Sequence, residues 1–354
     1  MYLALRDLRH SKGRFALITI VVTLMTLLVG FLTGLTGGLA SQNVSSLMHL
    51  KADKVVFSMP DDEAPSYTTS RVSEEQAKAW KDAAGVDRAD PLGLTFAQVE
   101  SGDADVAVAL LATSTGRIDE VPGDADHITL GKSIADDLGV AAGDTVTLAG
   151  RDMTVGKLAD DTEFSHRDVA WVTTDALHQY LESTRQPQAY ANVLLVDGDP
   201  DVEAMDAAQG TTTQALLPSL LALEALKSEI GSLGMMIGML MVIAVLVIGV
   251  FFLVWSMQRQ RDIAILKALG ASNRWISTDA LGQALLVLLI GVGLGTGATV
   301  GLGLLVGTTL PFVMNWLTLL VPSAGMVIAG LLGAYVSQRR ITAVDPLVAL
   351  ASAA

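Results

Sequence analysis

The sequence predicts an α-helical membrane protein with four transmembrane helices and a mixed α/β extracytoplasmic domain inserted between helices 1 and 2. Two observations carry that prediction. Four runs, at 15–39, 233–257, 280–310 and 317–336, hold no charged residue, and each reaches the roughly 20 residues that a helix needs to cross a bilayer core of about 30 Å. A chain that is 51% hydrophobic yet carries a net charge of −14 must also keep those properties in different places. Residues 41–230 hold 33 Asp and Glu against 13 Lys and Arg, leaving 4 acids and 10 bases for everything else.

The bases fix an orientation. Arg6, Arg9, Lys12 and Arg14 precede the first run, Arg259, Arg261, Lys267 and Arg274 lie between the second and third, and Arg339 and Arg340 follow the fourth. Cytoplasmic loops carry the excess of Lys and Arg, so both termini and the middle loop are expected in the cytoplasm of a cell-membrane protein. The expected segments are a cytoplasmic helix at 1–14, helix 1 at 15–40, the outer domain and stalk at 41–230, helix 2 at 231–257, a cytoplasmic loop at 258–278, helix 3 at 279–310, an outer loop at 311–316 with Trp316 as interfacial anchor, helix 4 at 317–337 and a cytoplasmic tail at 338–354. A cleaved signal peptide competes for the N-terminus, but the apolar stretch exceeds the usual 7 to 15 residues of such a segment.

Inside 41–230, Val44–Leu50 and Glu74–Ala84 have helical spacing. Val55–Ser58, Val106–Ala112, Thr145–Leu148, Met153–Val155, Val169–Thr173 and Val193–Val196 are strand-sized apolar pieces between Gly, Asp and Pro. Leu216–Gly234 is nearly free of charge and helical in period, so helix 2 is expected to begin early, as a stalk.

Several functions are excluded or disfavoured. An outer domain in which acids outnumber bases 33 to 13 repels nucleic-acid phosphates. Cysteine is absent, which rules out disulfides and thiolate metal sites. Gly131-Lys132-Ser133 ends like a phosphate-binding loop, but Asp126 stands where that loop needs its first glycine. The five histidines are scattered, so no metal site is expected, and neither is a catalytic residue: the chain reads as no enzyme. Gly291, Gly295, Thr299, Gly303 and Gly307, and the parallel row Gly293, Gly297 and Gly301, have the four-residue spacing of close helix packing in lipid.

The most specific stretch is Arg259-Gln260-Arg261-Asp262-Ile263-Ala264-Ile265-Leu266-Lys267-Ala268-Leu269-Gly270-Ala271-Ser272. It is a short amphipathic helix, stopped by Gly270 and recapped at Ser272, and it suits either a protein partner or anionic lipid. It closely resembles the cytoplasmic coupling loop of FtsX/MacB-type ABC transporter permeases. Leu3 to Lys12 is similar to their elbow helix, Arg339 to Leu350 to their closing Asp-Pro segment, and Thr129 to Val155 to part of their outer domain. The resemblance implies a homodimeric permease in the lipid bilayer, driven by two copies of a separate cytosolic ATPase that binds the ATP, with movement passed through the coupling helix and the stalk to the outer domain. Arg259, Arg261, Leu266, Lys267 and Gly270 are then the expected ATPase contact.

Ala40 to Asn43, Lys51 to Asp53 and Val247 to Phe252 most resemble the heme exporters of Gram-positive bacteria, which implies heme as transported substrate and no resident cofactor. A drug or lipoprotein exporter, or a signalling module that regulates a cell-wall hydrolase, shares the topology. An apolar slot with soft or imidazole ligands suits heme. Met48 and His49 after helix 1, with Met235 and Met239 on one face of helix 2, are the candidate ligands. Gln42, Asn43, Lys51 and Lys54 are candidate propionate contacts, Phe31 a stacking ring and Glu224 an oxygen ligand. Methionines that merely pack an adaptable helix interface are the competing explanation.

Overall fold

The computed structural model describes residues 12–60, 63–187, 189–258, 265, 267, 270–307 and 309–342. The elements are, in order, α1 (Lys12–His49), β1 (Lys54–Phe57), α2 (Glu74–Lys81), β2 (Val86–Ser101), β3 (Ala104–Thr113), β4 (His127–Gly131), α3 (Lys132–Leu138), β5 (Thr145–Leu148), β6 (Arg151–Ala159), β7 (Glu163–Phe164), β8 (Arg167–Val172), α4 (Thr174–Ser183), β9 (Val193–Gly198), α5 (Val202–Gln209), β10 (Thr212–Ala215), α6 (Leu216–Ser219), a 3-10 turn (Leu220–Ala222), α7 (Glu224–Gln258), α8 (Asn273–Val306) and α9 (Trp316–Thr342). They form two compact units, one of residues 1–38 with 231–354, the other of residues 39–230.

Four helices are long and apolar enough to cross a membrane, at Phe15–His49, Glu224–Gln258, Arg274–Val306 and Trp316–Ser337. At 1.5 Å per residue the 38 residues of α1 and the 35 of α7 extend beyond 50 Å, well past a core of about 30 Å. Their shared core holds Phe15, Ile18 and Val22 of α1, Ile248 and Phe252 of α7, Val287 and Leu288 of α8 and Met326 of α9. Small residues let the backbones meet. A Cβ added at Gly249 of α7 lies 3.2 Å from the Gly333 carbonyl of α9, and one at Gly291 of α8 lies 2.7 Å from Val22 of α1. Thr23 Oγ1 donates to the Gly291 carbonyl across that contact at 3.1 Å. The two small-residue rows therefore part company. Gly291 and Gly295 pack on α1 as expected, whereas a Cβ added at Gly293, Gly297 or Gly301 meets nothing within 4 Å among the described residues.

The connection before α9 folds back. Phe312 packs over Gly34 and Gly303, Val313 N donates to the Gly34 carbonyl at 3.1 Å, and the backbone of Pro311 occupies the space a side chain at Gly38 would need. Asn315 and Thr318 then exchange side-chain to backbone hydrogen bonds of 2.8 and 3.0 Å that start α9.

The second unit is built on a ten-stranded sheet in the order β10-β1-β9-β2-β3-β8-β4-β6-β5, with β7 on β8. Val99 of β2 also pairs with Leu148 of β5, which closes β2, β3, β8, β4, β6 and β5 into a ring around Val108, Leu110, Ile128, Ile134 and Val172. A second core lies on the side of α1, where Val44, Leu47 and Leu50 meet Val55, Phe57, Leu92, Leu111 and Trp171. A separate Val44–Leu50 helix was expected; those residues instead continue α1, because no glycine or proline separates them from the apolar run. The stalk is also shorter than expected. Leu216 and its successors make one turn and a 3-10 turn, Leu223 is extended at φ −82° and ψ 111°, and α7 begins only at Glu224.

Candidate functional site

The polar residues at the end of α1 and the hairpin β7–β8 form a polar cluster tied to both long helices. Ser165 and His166, the two hairpin turn residues, take left-handed φ values of 50° and 61°. A two-residue turn with both central residues left-handed matches strand twist and is normally built from Asn and Gly. Here the strain is offset by docking. The amides of Ser165 and His166 donate to the Asn43 and Gln42 carbonyls at 3.1 Å each, and Glu163 N donates to Ser45 Oγ at 2.7 Å. Phe164 is buried beneath them.

Two side chains then reach α7. His166 Nε2 lies 2.7 Å from Glu229 Oε1, and Asn43 Nδ2 donates to Glu229 Oε2 at 2.8 Å and to the Leu39 carbonyl at 3.1 Å. An ionised carboxylate only accepts, so the imidazole carries its proton on Nε2 and Glu229 bridges two donors. Asn43 is fully buried, and its Nδ2 also lies 3.1 Å from His166 Nε2. Beside this bridge Gln42 Nε2 donates to Glu163 Oε1 at 3.3 Å. Burial, then the nearby Asp168 charge, push the Glu163 carboxyl above its usual range; burial does the same for Asp168.

The end of α1 is anchored separately. Arg117, in the β3–β4 connection, has a side chain only 4% exposed and binds both oxygens of Asp197 at 2.5 and 3.0 Å, Asp90 at 3.2 Å and the Leu50 carbonyl at 3.2 Å. His49 Nε2 lies 3.2 Å from Glu120. Lys51 leaves the helix at φ 51° with its side chain in solvent.

The expected heme contacts are thus partly engaged by their own units. Gln42 and Asn43, read as propionate contacts, are occupied by Glu163, His166 and Glu229, and burial takes Asn43 out of reach of a solvent-borne carboxylate. Phe31, read as a stacking ring, lies 5.2 Å from the Phe312 ring at a 35° tilt. Lys54 donates to the Gly198 carbonyl at 2.6 Å. Met48 is half-exposed and Glu224 is in solvent at the start of α7. Met235 and Met239 are 71% and 61% exposed on one face of α7. In the coupling segment Lys267 is helical and half-buried, Gly270 turns at φ 95° with its amide on the Lys267 carbonyl, and Ser272 caps α8 by accepting from Trp275 N at 3.2 Å. Arg259, Arg261 and Leu266 lie outside the described residues, as do the elbow segment before Lys12 and the closing Asp-Pro segment.

The family of MacB-like periplasmic core domains matches residues 16–211, more than half of the chain, and that of FtsX-like permease C-terminal domains matches 234–346. The chain belongs to the FtsX/MacB-type ABC transporter permeases. It is a multi-pass membrane protein, and membership implies an ATPase subunit as partner. It is 25% identical over 99% of both chains to HrtB of Staphylococcus haemolyticus, named as a hemin transport system permease protein, and 24% over the same shares to HrtB of Staphylococcus epidermidis. An uncharacterized ABC transporter permease of Mycobacterium bovis is 25% identical over 99% of both chains. Among solved structures, the extracellular domain of the transporter YknZ aligns at 17% identity and a TM-score of 0.34, covering 46% of this chain and 99% of that one.

Four residues of this permease's polar sites, His166, Glu229, Arg117 and Glu120, drew no attention in the sequence. Each has its partner far away in the chain, so no local pattern marks it.

Proposed function

We propose that this permease exports heme from the membrane, as a homodimer coupled to two copies of a separate cytosolic ATPase, with both termini in the cytoplasm and the sheet unit outside. The supporting observation is the end-to-end likeness, at 25% identity over 99% of each chain, to a protein named for hemin transport. Orientation follows the distribution of bases. Self-association is supported by α7, where Leu246, Val250, Val254 and Met257 are an exposed apolar ridge. One flank of it is a groove of about 450 Å³ lined by Leu17, Val21, Val247 and Trp255, and the other a groove of about 240 Å³ lined by Gly249, Leu253, Gly333 and Val336. A two-fold partner presenting the same ridge and grooves is complementary to it.

Met48 and His49, with Lys51 as a propionate contact and Glu224 as an oxygen ligand, remain one proposed set of heme ligands and Met235 and Met239 another, because Met235 and Met239 lie six and ten residues along α7 beyond Glu229, which at about 1.5 Å per residue takes them away from the end of α1. Glu120 on His49 Nε2 leaves Nδ1 for iron, the arrangement by which a carboxylate orients a ligating imidazole. The test is a heme titration of the purified permease followed by its Soret band. Wild type is expected to bind, and Met48→Ala, His49→Ala or Met235→Ala to weaken binding about tenfold, the cost of about 1.4 kcal/mol, with a changed spectrum. Wild-type affinity and spectrum in all three variants place the site elsewhere; absence of binding by wild type ends the heme reading.

A further inference from the structure

We propose that the β7–β8 hairpin is a clamp joining the ends of both long helices, and that His166 and Glu229 are positioning residues through which ATP-driven movement of α1 and α7 reaches the sheet. The inference rests on coupling to an ATPase and not on heme as substrate.

Three features of the cluster carry it. The hairpin docks on α1 by backbone, through the Ser165 and His166 amides on the Asn43 and Gln42 carbonyls, whereas it reaches α7 through a side chain, His166 on Glu229, the carboxylate that Asn43 of α1 also meets. One attachment is thus of the kind that moves with its helix, and the other of the kind that breaks and reforms. The hairpin is also strained, since neither Ser165 nor His166 is a glycine at left-handed φ. It stays in place only while docked, so releasing Glu229 weakens a turn that is already costly. Finally, the three parts converge, since Asn43 Nδ2 of α1 lies 3.1 Å from His166 Nε2 of the hairpin and 2.8 Å from Glu229 Oε2 of α7. Movement of either helix past the other therefore changes contacts at this one point. From the hairpin the path into the sheet is short: β7 pairs with β8, β8 with β3 and β4, and Phe164 is buried in the core that also holds Trp171.

The test uses the full-length permease with its ATPase in lipid nanodiscs and follows hydrogen exchange of the Ser165 and His166 amides with and without ATP and vanadate. In wild type the exchange of these two amides is expected to change on trapping. His166→Ala and Glu229→Gln should each speed their exchange about tenfold in the resting state and abolish the response to ATP, with ATPase still bound. Because the chain has no cysteine, His166→Cys combined with Glu229→Cys can be joined by a short bifunctional thiol reagent, and the joined form should regain wild-type protection. This arm separates a lost clamp from a variant that fails to fold. The proposal falls if both single variants respond to ATP as wild type does, if the wild-type amides do not respond, or if the joined form stays unprotected. Heme is absent throughout, so a failure of the heme reading leaves this result standing.

Discussion

Replacing Arg117 by Met removes a buried charge while keeping most of the side-chain volume. In the structure this guanidinium binds both oxygens of Asp197, one oxygen of Asp90 and the Leu50 carbonyl, the last of which tethers the end of α1 to the sheet. Breaking a buried ion pair by removing one partner costs about 3–5 kcal/mol. The low end applies here, because Asp197 is 27% exposed and can take up water, and Asp90 keeps its pairing with Arg88. A loss of about 3 kcal/mol corresponds to roughly 100-fold more frequent opening. Hydrogen exchange of the β9 amides in the full-length protein reads this directly. Arg117→Lys should fall between the two, since an ammonium keeps the charge but loses the planar fork. Adding Asp197→Asn to the Met variant should recover part of the loss by removing the stranded charge. Protection within about threefold of wild type in Arg117→Met, a change below about 0.7 kcal/mol, would show that the network does not hold α1, and the anchoring account would be wrong.

Three further outcomes are expected. Glu163 and Asp168 have folded-state pKa values raised above the ordinary range, so their favourable contribution is present at acid pH and lost as pH rises through those values. Glu163→Gln with Asp168→Asn should therefore raise the thermal midpoint by about 2 °C or more at pH 7 and give no gain near pH 4, and a gain that is independent of pH would contradict the cause assigned. Cysteine at Asp124 or Asp160 should react with a membrane-impermeant reagent in whole cells and cysteine at Ser272 should not; the reverse pattern inverts the orientation. Arg261→Glu with Leu266→Asp should abolish co-purification of the ATPase while the chain stays in the membrane, and unchanged recruitment would remove the coupling segment from the interface.

What the sequence made legible followed from local chemistry. The long helices came from uncharged runs, since no charge can be left in lipid without cost. Gly270 and Ser272 announced a helix stop and a restart, and both are seen. Val106–Ala112 and Val193–Val196 were readable as strands because apolar runs of that length fit a sheet buried on both faces. Strand β2 was not readable, although it is the longest, because Asp87, Arg88, Asp90 and Pro91 break its alternation and are tolerated only through pairing with β9 and with Arg117. The candidate site was harder still. Its ligand-capable residues stood out by type, but what occupies each one is a matter of distant contacts: Asn43 meets residues 166 and 229, His49 meets Glu120, and Phe31 meets Phe312. None of those distances along the chain carries a periodic signal, so a residue suited to heme and one suited to holding two helices together look alike until the fold is known.

Export itself can be measured with the permease and its ATPase reconstituted in vesicles whose membranes are preloaded with heme, with a heme-binding protein outside the face that carries the sheet unit. Addition of ATP is expected to speed transfer of heme to that acceptor several-fold, and the acceleration should vanish with Arg261→Glu and Leu266→Asp together. Heme transfer at the same rate with and without ATP, in a preparation whose ATPase is bound and turning over, would contradict the account.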